Sequence, residues 1–256
     1  MVADRPALAA SIILVSRSPY RVLMVRRGAV GAFWHAHVFP GGRVDPGDHD
    51  DDWRPPLGSE GQDSDPVLIR SRIAAVRELY EETGIQLSRP GRVEPSVGEL
   101  GAMAAENRGV IPLSDVHHVG HWITPPTRPR RFDTHFFLHV VPEPAPVHAD
   151  GIEIVEAGWM EPHAVLRDAI RGDRSVMFPT AAHLAWLSEF DDADLLDDHA
   201  RRRRVVTVAA EVHVDREGRE LRTIPAEAGY PLHRWPPIQA NLRGGPEGER
   251  AAERVD

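Results

Sequence analysis

Asp65 and Gly84 bracket the stretch "DPVLIRSRIAAVRELYEETG", whose local chemistry leaves little choice of conformation. Asp65 suits an N-cap, Pro66 fits a first helical position where its missing N–H costs nothing, and Gly84 supplies a left-handed stop. The spacing predicts a helix over 66–83. At about 100° per residue, Ile69, Ile73, Val76 and Tyr80 share one side, while Glu78, Glu81 and Glu82 fall within roughly 100° of arc on nearly the opposite one. Such a helix packs its apolar stripe on a sheet and presents three carboxylates to one place.

That concentration of charge needs a reason. Like charges at i,i+3 and i,i+4 each cost an isolated helix a few tenths of a kcal/mol, and here they sit near the negative end of the helix dipole. A solvated acidic face is the plain explanation. The alternative is a compensating cation, and a hard divalent ion takes oxygen ligands from a few carboxylates, water and substrate phosphates. A site of that kind suits pyrophosphate chemistry, with Arg77, beside Glu81 on the helical wheel, orienting a carboxylate.

The flanking sequence supplies a sheet. Residues 8–16 and 21–27 are β-branched runs around a Ser-Pro turn, and 117–124, 132–141 and 151–160 read as further strands separated by Pro-rich turns. Residues 161–171, 179–190 and 191–203 have helical patterning, and 205–224 returns to a hairpin around "REG". Residues 48–65 are acidic and rich in Pro and Gly, a long loop between ordered elements. The pattern implies one α/β domain over 1–243, a mixed sheet with helices on both faces, and a frayed tail over 244–256.

Composition narrows the function. The 256 residues carry 30 basic side chains, all Arg, against 39 Asp and Glu, for a net charge of −9, which disfavours non-specific nucleic-acid binding. Absence of Cys removes disulfides, thiolate metal sites and cysteine nucleophiles, and fits a reducing cytoplasm as the expected location. No apolar run approaches the roughly 18 residues of a membrane span, so no membrane partner is expected. The 14 His include the neighbours His117, His118 and His121 but show no spacing that suggests zinc.

"RELYEETGI" resembles the second half of the Nudix box, G-x5-E-x7-R-E-U-x-E-E-x-G-U with U aliphatic. Arg77, Glu78, Leu79, Glu81, Glu82, Gly84 and Ile85 all match. The first half begins at Gly42 in "FPGGRVDPGD" and places Asp48 where the pattern has Glu. Between Asp48 and Arg77 lie 28 residues in place of seven, an insertion of 21 over 49–69 within a box of 42–85. An insertion at this point is similar to that of the Nudix branch resembling the peroxisomal coenzyme A diphosphatase. "RIAAVRE", "WITPPTRPRRFDTHFF" and "FPT" at 178–180 fit the same branch, and the likeness covers about residues 8–190. A longer coenzyme A signature found in other diphosphatases is not met, because Ala32 and His35 stand where its Arg and Gly would fall.

The resemblance implies an α/β/α sandwich, to which the residue patterning adds C-terminal helices over about 161–203 and a hairpin over about 205–224. It also implies hydrolysis of a nucleoside diphosphate linked to another moiety, using Mg²⁺ or Mn²⁺. Glu78, Glu81 and Glu82 would ligate the metal, Glu78 also polarising the attacking water, with Arg77 orienting a carboxylate and Gly41 and Gly42 shaping the loop. Glu153 is the candidate general base and Glu156 its alternative. Arg27, Arg43 and Arg131 are candidates for binding phosphates. Coenzyme A or an acyl ester is the favoured substrate, giving 4′-phosphopantetheine and 3′,5′-ADP. ADP-ribose, a dinucleotide or a nucleotide sugar stays open, as do a non-catalytic nucleotide-sensing module and a homodimer. A shortened acid at Asp48, across an insertion, leaves its partner in question.

Overall fold

A computed structural model of the chain describes residues 5–28, 35–48, 65–87, 89–90, 109–110, 113–149, 151, 153–214, 216, 218 and 220–235. The loop residues 49–64 and the tail 244–256 lie outside them.

Strand β1 (Ala7–Ser16) is the spine of the sheet. Its side chains alternate between two apolar clusters. Ala10, Ile12 and Leu14 enter one, and Ile13 and Val15 enter the other. Burial on both faces is why the segment reads as an unbroken apolar run rather than an alternating one. On one side β1 pairs in parallel with β8 (Phe132–Val141) along its whole length, from Ala7↔Phe132 to Ser16↔Val141. On the other side it is shared. Its C-terminal end pairs with β2 (Arg21–Arg27), and its N-terminal half pairs with β4 (Gly41–Arg43) through Ala9↔Arg43 and Ser11↔Gly41.

The short β3 (His37–Val38) and the longer β9 (Ile154–Met160) extend the sheet from β2. Beyond β8 lies β7 (His117–Ile123), antiparallel to it. Two small strands, β5 (Arg89–Pro90) and β6 (Gly109–Val110), pair separately.

Helix α1 (Pro66–Thr83) covers one face of the sheet. It begins with Asp65 accepting from the Val67 N–H at 2.9 Å. It ends at Gly84 (φ 72°), whose N–H reaches the Tyr80 carbonyl at 2.7 Å. Ile69, Ile73, Val76 and Leu79 are buried against Ile12, Leu14 and Phe137, each contributing roughly 1.5–3 kcal/mol. Helices α2 (Pro162–Arg171), α3 (Phe178–Leu187) and α4 (Ala193–Arg202) form the opposite layer. There Val165, Leu184, Trp186 and Leu196 join Ile13, Val22 and Met24. This is the expected α/β/α sandwich on a mixed sheet.

The hairpin expected over 205–224 is divided. Thr207 and Val208 form β10, which pairs in parallel with β7 on the main sheet. Only β11 (Glu211–Val214) pairs with β12 (Glu220–Thr223), and β13 (Arg234–Trp235) completes a separate three-stranded sheet. Ile224, Tyr230 and Trp235 belong to the same apolar cluster as Ile13, so these elements seal the helix-bearing face. Among the described residues no helix is long and apolar enough to cross a membrane.

Candidate active site

The chain leaves β3 through Phe39 and Pro40 and enters β4 tightly against the spine. Ser11 Oγ donates to the Pro40 carbonyl at 2.9 Å, and the Ile12 N–H donates to the same oxygen at 2.9 Å. A Cβ on Gly41 would meet Ala10 O at 2.4 Å, and one on Gly42 would meet Glu78 Oε1 at 2.3 Å. Only glycine allows the loop to press on β1 and on α1 at once.

Arg77 is the hub of the next layer. Its Nε and Nη2 donate to the two oxygens of Asp48 at 2.9 and 3.1 Å, its Nη1 to Glu78 at 2.9 Å and Glu81 at 2.8 Å, and its Nη2 to the Arg43 carbonyl at 3.0 Å. Asp48 is 1% exposed and also accepts from the Asp45 N–H at 2.7 Å. The insertion therefore does not part the halves of the box, and the shorter acid reaches its arginine with both oxygens. Burial alone would lower the Arg77 guanidinium, but the Asp48 hydrogen bonds and the charges of Glu78, Asp48 and Glu81 outweigh it and keep the cation locked on.

Glu82 differs from its neighbours by depth. It is 4% exposed, accepts from the Gly41 N–H at 3.0 Å, and lies 3.3 Å from Arg27. Burial pushes its carboxyl up to about 8, offset in part by Arg27 and the Gly41 N–H and reinforced by Glu78 and Glu153. Glu78 is likewise raised, first by burial, with Arg77 opposing and Glu81 and Glu153 adding to the shift. Glu81 is half exposed on Arg77. The helical wheel places the three acids on one arc but not at one depth. In this arrangement they are spread over two arginines instead of converging.

Arg27, at the end of β2, donates to the Gly41 carbonyl at 2.6 Å and to Glu153 at 2.5 Å as well as pairing with Glu82. It thereby joins β2, β4, α1 and the residue preceding β9. Arg26 and Arg27, consecutive on β2, face opposite sides of the sheet and find different partners, and the β2–β9 register shifts between them. Arg26 pairs with Glu156 at 2.9 Å, beside His37 and Arg174. So Glu153 stands with the box and Glu156 does not. Arg43 enters through its carbonyl, and its side chain is exposed. Arg131 donates to the Thr124 carbonyl at 3.2 Å across the β7–β8 connection.

The donor set fits a hard divalent cation. Every candidate ligand is a carboxylate oxygen, and two of them, Glu78 and Glu82, are held at raised values by burial and mutual repulsion that a cation would relieve. Among the described residues, one group of three has ligand atoms all within 4.8 Å, and it lies elsewhere: His121, Asp133 and His135 on β7 and β8. His135 and Asp133 were not apparent in the sequence as companions of His121, since only strand register brings them together.

Fold and site together define an α/β protein built around a carboxylate-bearing loop-helix-loop. No family model matches the chain. Over 210 residues it is 31% identical to the protein named "Putative nudix hydrolase 7" of Caenorhabditis elegans, covering 77% of this chain and 66% of that one. It is 29% identical over 214 residues to the Acyl-coenzyme A diphosphatase NUDT19 of Homo sapiens, covering 61% and 55% respectively. The crystal structure of a NUDIX hydrolase from Alicyclobacillus acidocaldarius superposes with a TM-score of 0.64 at 26% identity, over 76% of this chain and 96% of that one. The chain thus spans between about half and two-thirds of the length of these curated relatives. It belongs to the Nudix hydrolase family.

Proposed function

We propose that the chain hydrolyses the pyrophosphate bond of a nucleoside diphosphate linked to another moiety, with coenzyme A or an acyl-coenzyme A as the favoured substrate. The observation that carries the reading is the box assembled across its insertion, with Asp48 clamped by Arg77 and Glu82 buried under Gly41. The substrate preference draws support from the relative named as an acyl-coenzyme A diphosphatase.

In the proposed reaction a water oxygen attacks one phosphorus of the bridge, that phosphorus releases the bridging oxygen, and the oxygen leaves on the other phosphate, giving 4′-phosphopantetheine and 3′,5′-ADP. Glu78, Glu81 and Glu82 would hold Mg²⁺ or Mn²⁺, which when bound neutralises charge on the phosphates and acidifies water. Arg77 positions Glu78 and Glu81 from behind. Glu153, at the mouth of the site and steadied by Arg27, accepts the proton of the attacking water. Arg27 is already engaged by two carboxylates, so its part in binding phosphate begins when one of them turns to the cation.

A substrate panel with Mg²⁺ or Mn²⁺ tests the reading. Release of 3′,5′-ADP from coenzyme A and its acyl esters, faster than turnover of ADP-ribose, dinucleotides or nucleotide sugars, is expected. Preference for one of the latter would overturn the substrate, and no turnover of any would leave a nucleotide-sensing module.

A further inference from the structure

A second group of metal-ligating side chains lies on the α1 side of the sheet, away from the box. Phe137 of β8 packs in the α1 cluster, and His135 and Asp133, two and four residues before it, share its face. His121 of β7 is the direct cross-strand partner of His135. The strand order places this pair at least two strand spacings, about 10 Å, from β4, the strand that carries Gly41 and Gly42.

Both imidazoles are anchored from outside. His121 Nδ1 lies 2.8 Å from Thr207 Oγ1 on β10, and His135 Nδ1 lies 3.1 Å from His118 Nε2. Contacts of this kind orient a ligating histidine from behind, and without an ion the His121 Nε2–H donates to Asp133, a proton whose place an ion would take. His121 Nε2 is 2.5 Å from Asp133 Oδ1, and one ligand atom from each of His121, Asp133 and His135 lies within 4.8 Å of the others. His121 and Asp133 are partly exposed, so an ion can enter from solvent.

We propose that His121, Asp133 and His135 form a second cation site, selective for a borderline divalent ion of the zinc class over Mg²⁺. Two imidazoles and one carboxylate, in a chain without thiols, favour Zn²⁺, Co²⁺ or Ni²⁺, with water completing the coordination. The rings are stacked, 4.2 Å between centroids and 9° from parallel. An ion shared by both must lie near both ring planes, so loading tilts one ring out of the stack. Through Thr207 the site ties β10 to β7 and β8 at the edge of the sheet, and metal there strengthens that edge.

The test uses untagged full-length protein stripped with chelator and supplied with excess Mg²⁺ to occupy the oxygen box. Co²⁺ is then titrated, read by its visible absorption and by calorimetry. One equivalent of Co²⁺, displaced by Zn²⁺, is expected, with affinity falling at least about tenfold in His135→Ala and in Asp133→Asn and unchanged in Glu82→Gln. The near-isosteric Asp133→Asn carries the test if His135→Ala does not fold. No Co²⁺ bound by the parent, or equal binding by the parent and Asp133→Asn, would overturn the site. Neither result depends on hydrolysis, so failure here is distinct from failure of the proposed activity.

Discussion

Two adjacent glycines in β4 separate what holds the fold from what holds the chemistry. On Gly41, a methyl group would sit 2.4 Å from the Ala10 carbonyl and 2.7 Å from the Ser11 Cα, both backbone atoms of the central strand. Neither can give way alone, so Gly41→Ala should cost about 1–3 kcal/mol, a Tm loss of roughly 2–12 °C for a chain of this size. On Gly42, the methyl would sit 2.3 Å from Oε1 and 2.6 Å from Oε2 of Glu78, the far end of a flexible side chain. Ordinary contact begins at 3.4 Å, so the carboxylate must retreat by about 1.1 Å. Swinging it away from Arg77 costs the fold less than moving the backbone of β1. It displaces a proposed ligand by a distance that commonly costs on the order of 100-fold in rate. Thermal unfolding and metal-dependent turnover, measured on both variants, decide the matter. A Gly42→Ala protein with full turnover and unchanged metal dependence would refute the placement of Glu78.

The remaining expectations follow from the same contacts. Replacing Arg77 by Met strands the buried Asp48 and should cost about 3–5 kcal/mol, seen as a Tm fall of roughly 10 °C. Lys should not restore it, because one ammonium cannot span Asp48, Glu78, Glu81 and the Arg43 carbonyl. Glu153→Gln should lower kcat by about 10²–10⁴ with little change in Tm, since the side chain is 58% exposed, and Glu156→Gln should leave kcat alone. The Glu82 carboxyl is raised from 4.5 to about 8 in the metal-free fold. Its protonation therefore contributes stability in full below about 4.5, and that contribution is lost as pH rises through about 8. Chelator-treated parent should lose more Tm than Glu82→Gln between neutral and alkaline pH, and Mg²⁺ should restore most of that loss at the alkaline end.

How much of this was legible in the sequence depended on how local the determinants are. The bounds of α1 are set by Asp65, Pro66 and Gly84, residues that act within one turn of themselves, and the helix runs as the spacing predicts. The arc shared by Glu78, Glu81 and Glu82 follows from helical geometry alone. Their depths do not, because Glu82 is buried by β4 folding over it, a contact between residues 41 positions apart. The Asp48–Arg77 clamp likewise depends on the chain returning after its insertion. The "VVTVAAEVHV" run shows one strand-like pattern throughout, yet 207–208 and 211–214 join different sheets. Periodicity reports the conformation of a strand and not its partner. The pairing of His121 with His135 is a matter of register, which no spacing within either strand encodes.

The central claim is that the carboxylates of the box, loaded with a divalent cation, hydrolyse a pyrophosphate bond. Its most direct test is the release of 3′,5′-ADP from acyl-coenzyme A as a function of Mg²⁺, in the parent and in Glu82→Gln proteins shown to be folded at the assay temperature. The parent should turn over only with the divalent ion, and Glu82→Gln should fall by on the order of 10²–10³. Turnover by the parent in excess chelator, or a Glu82→Gln protein as active as the parent, would contradict the claim.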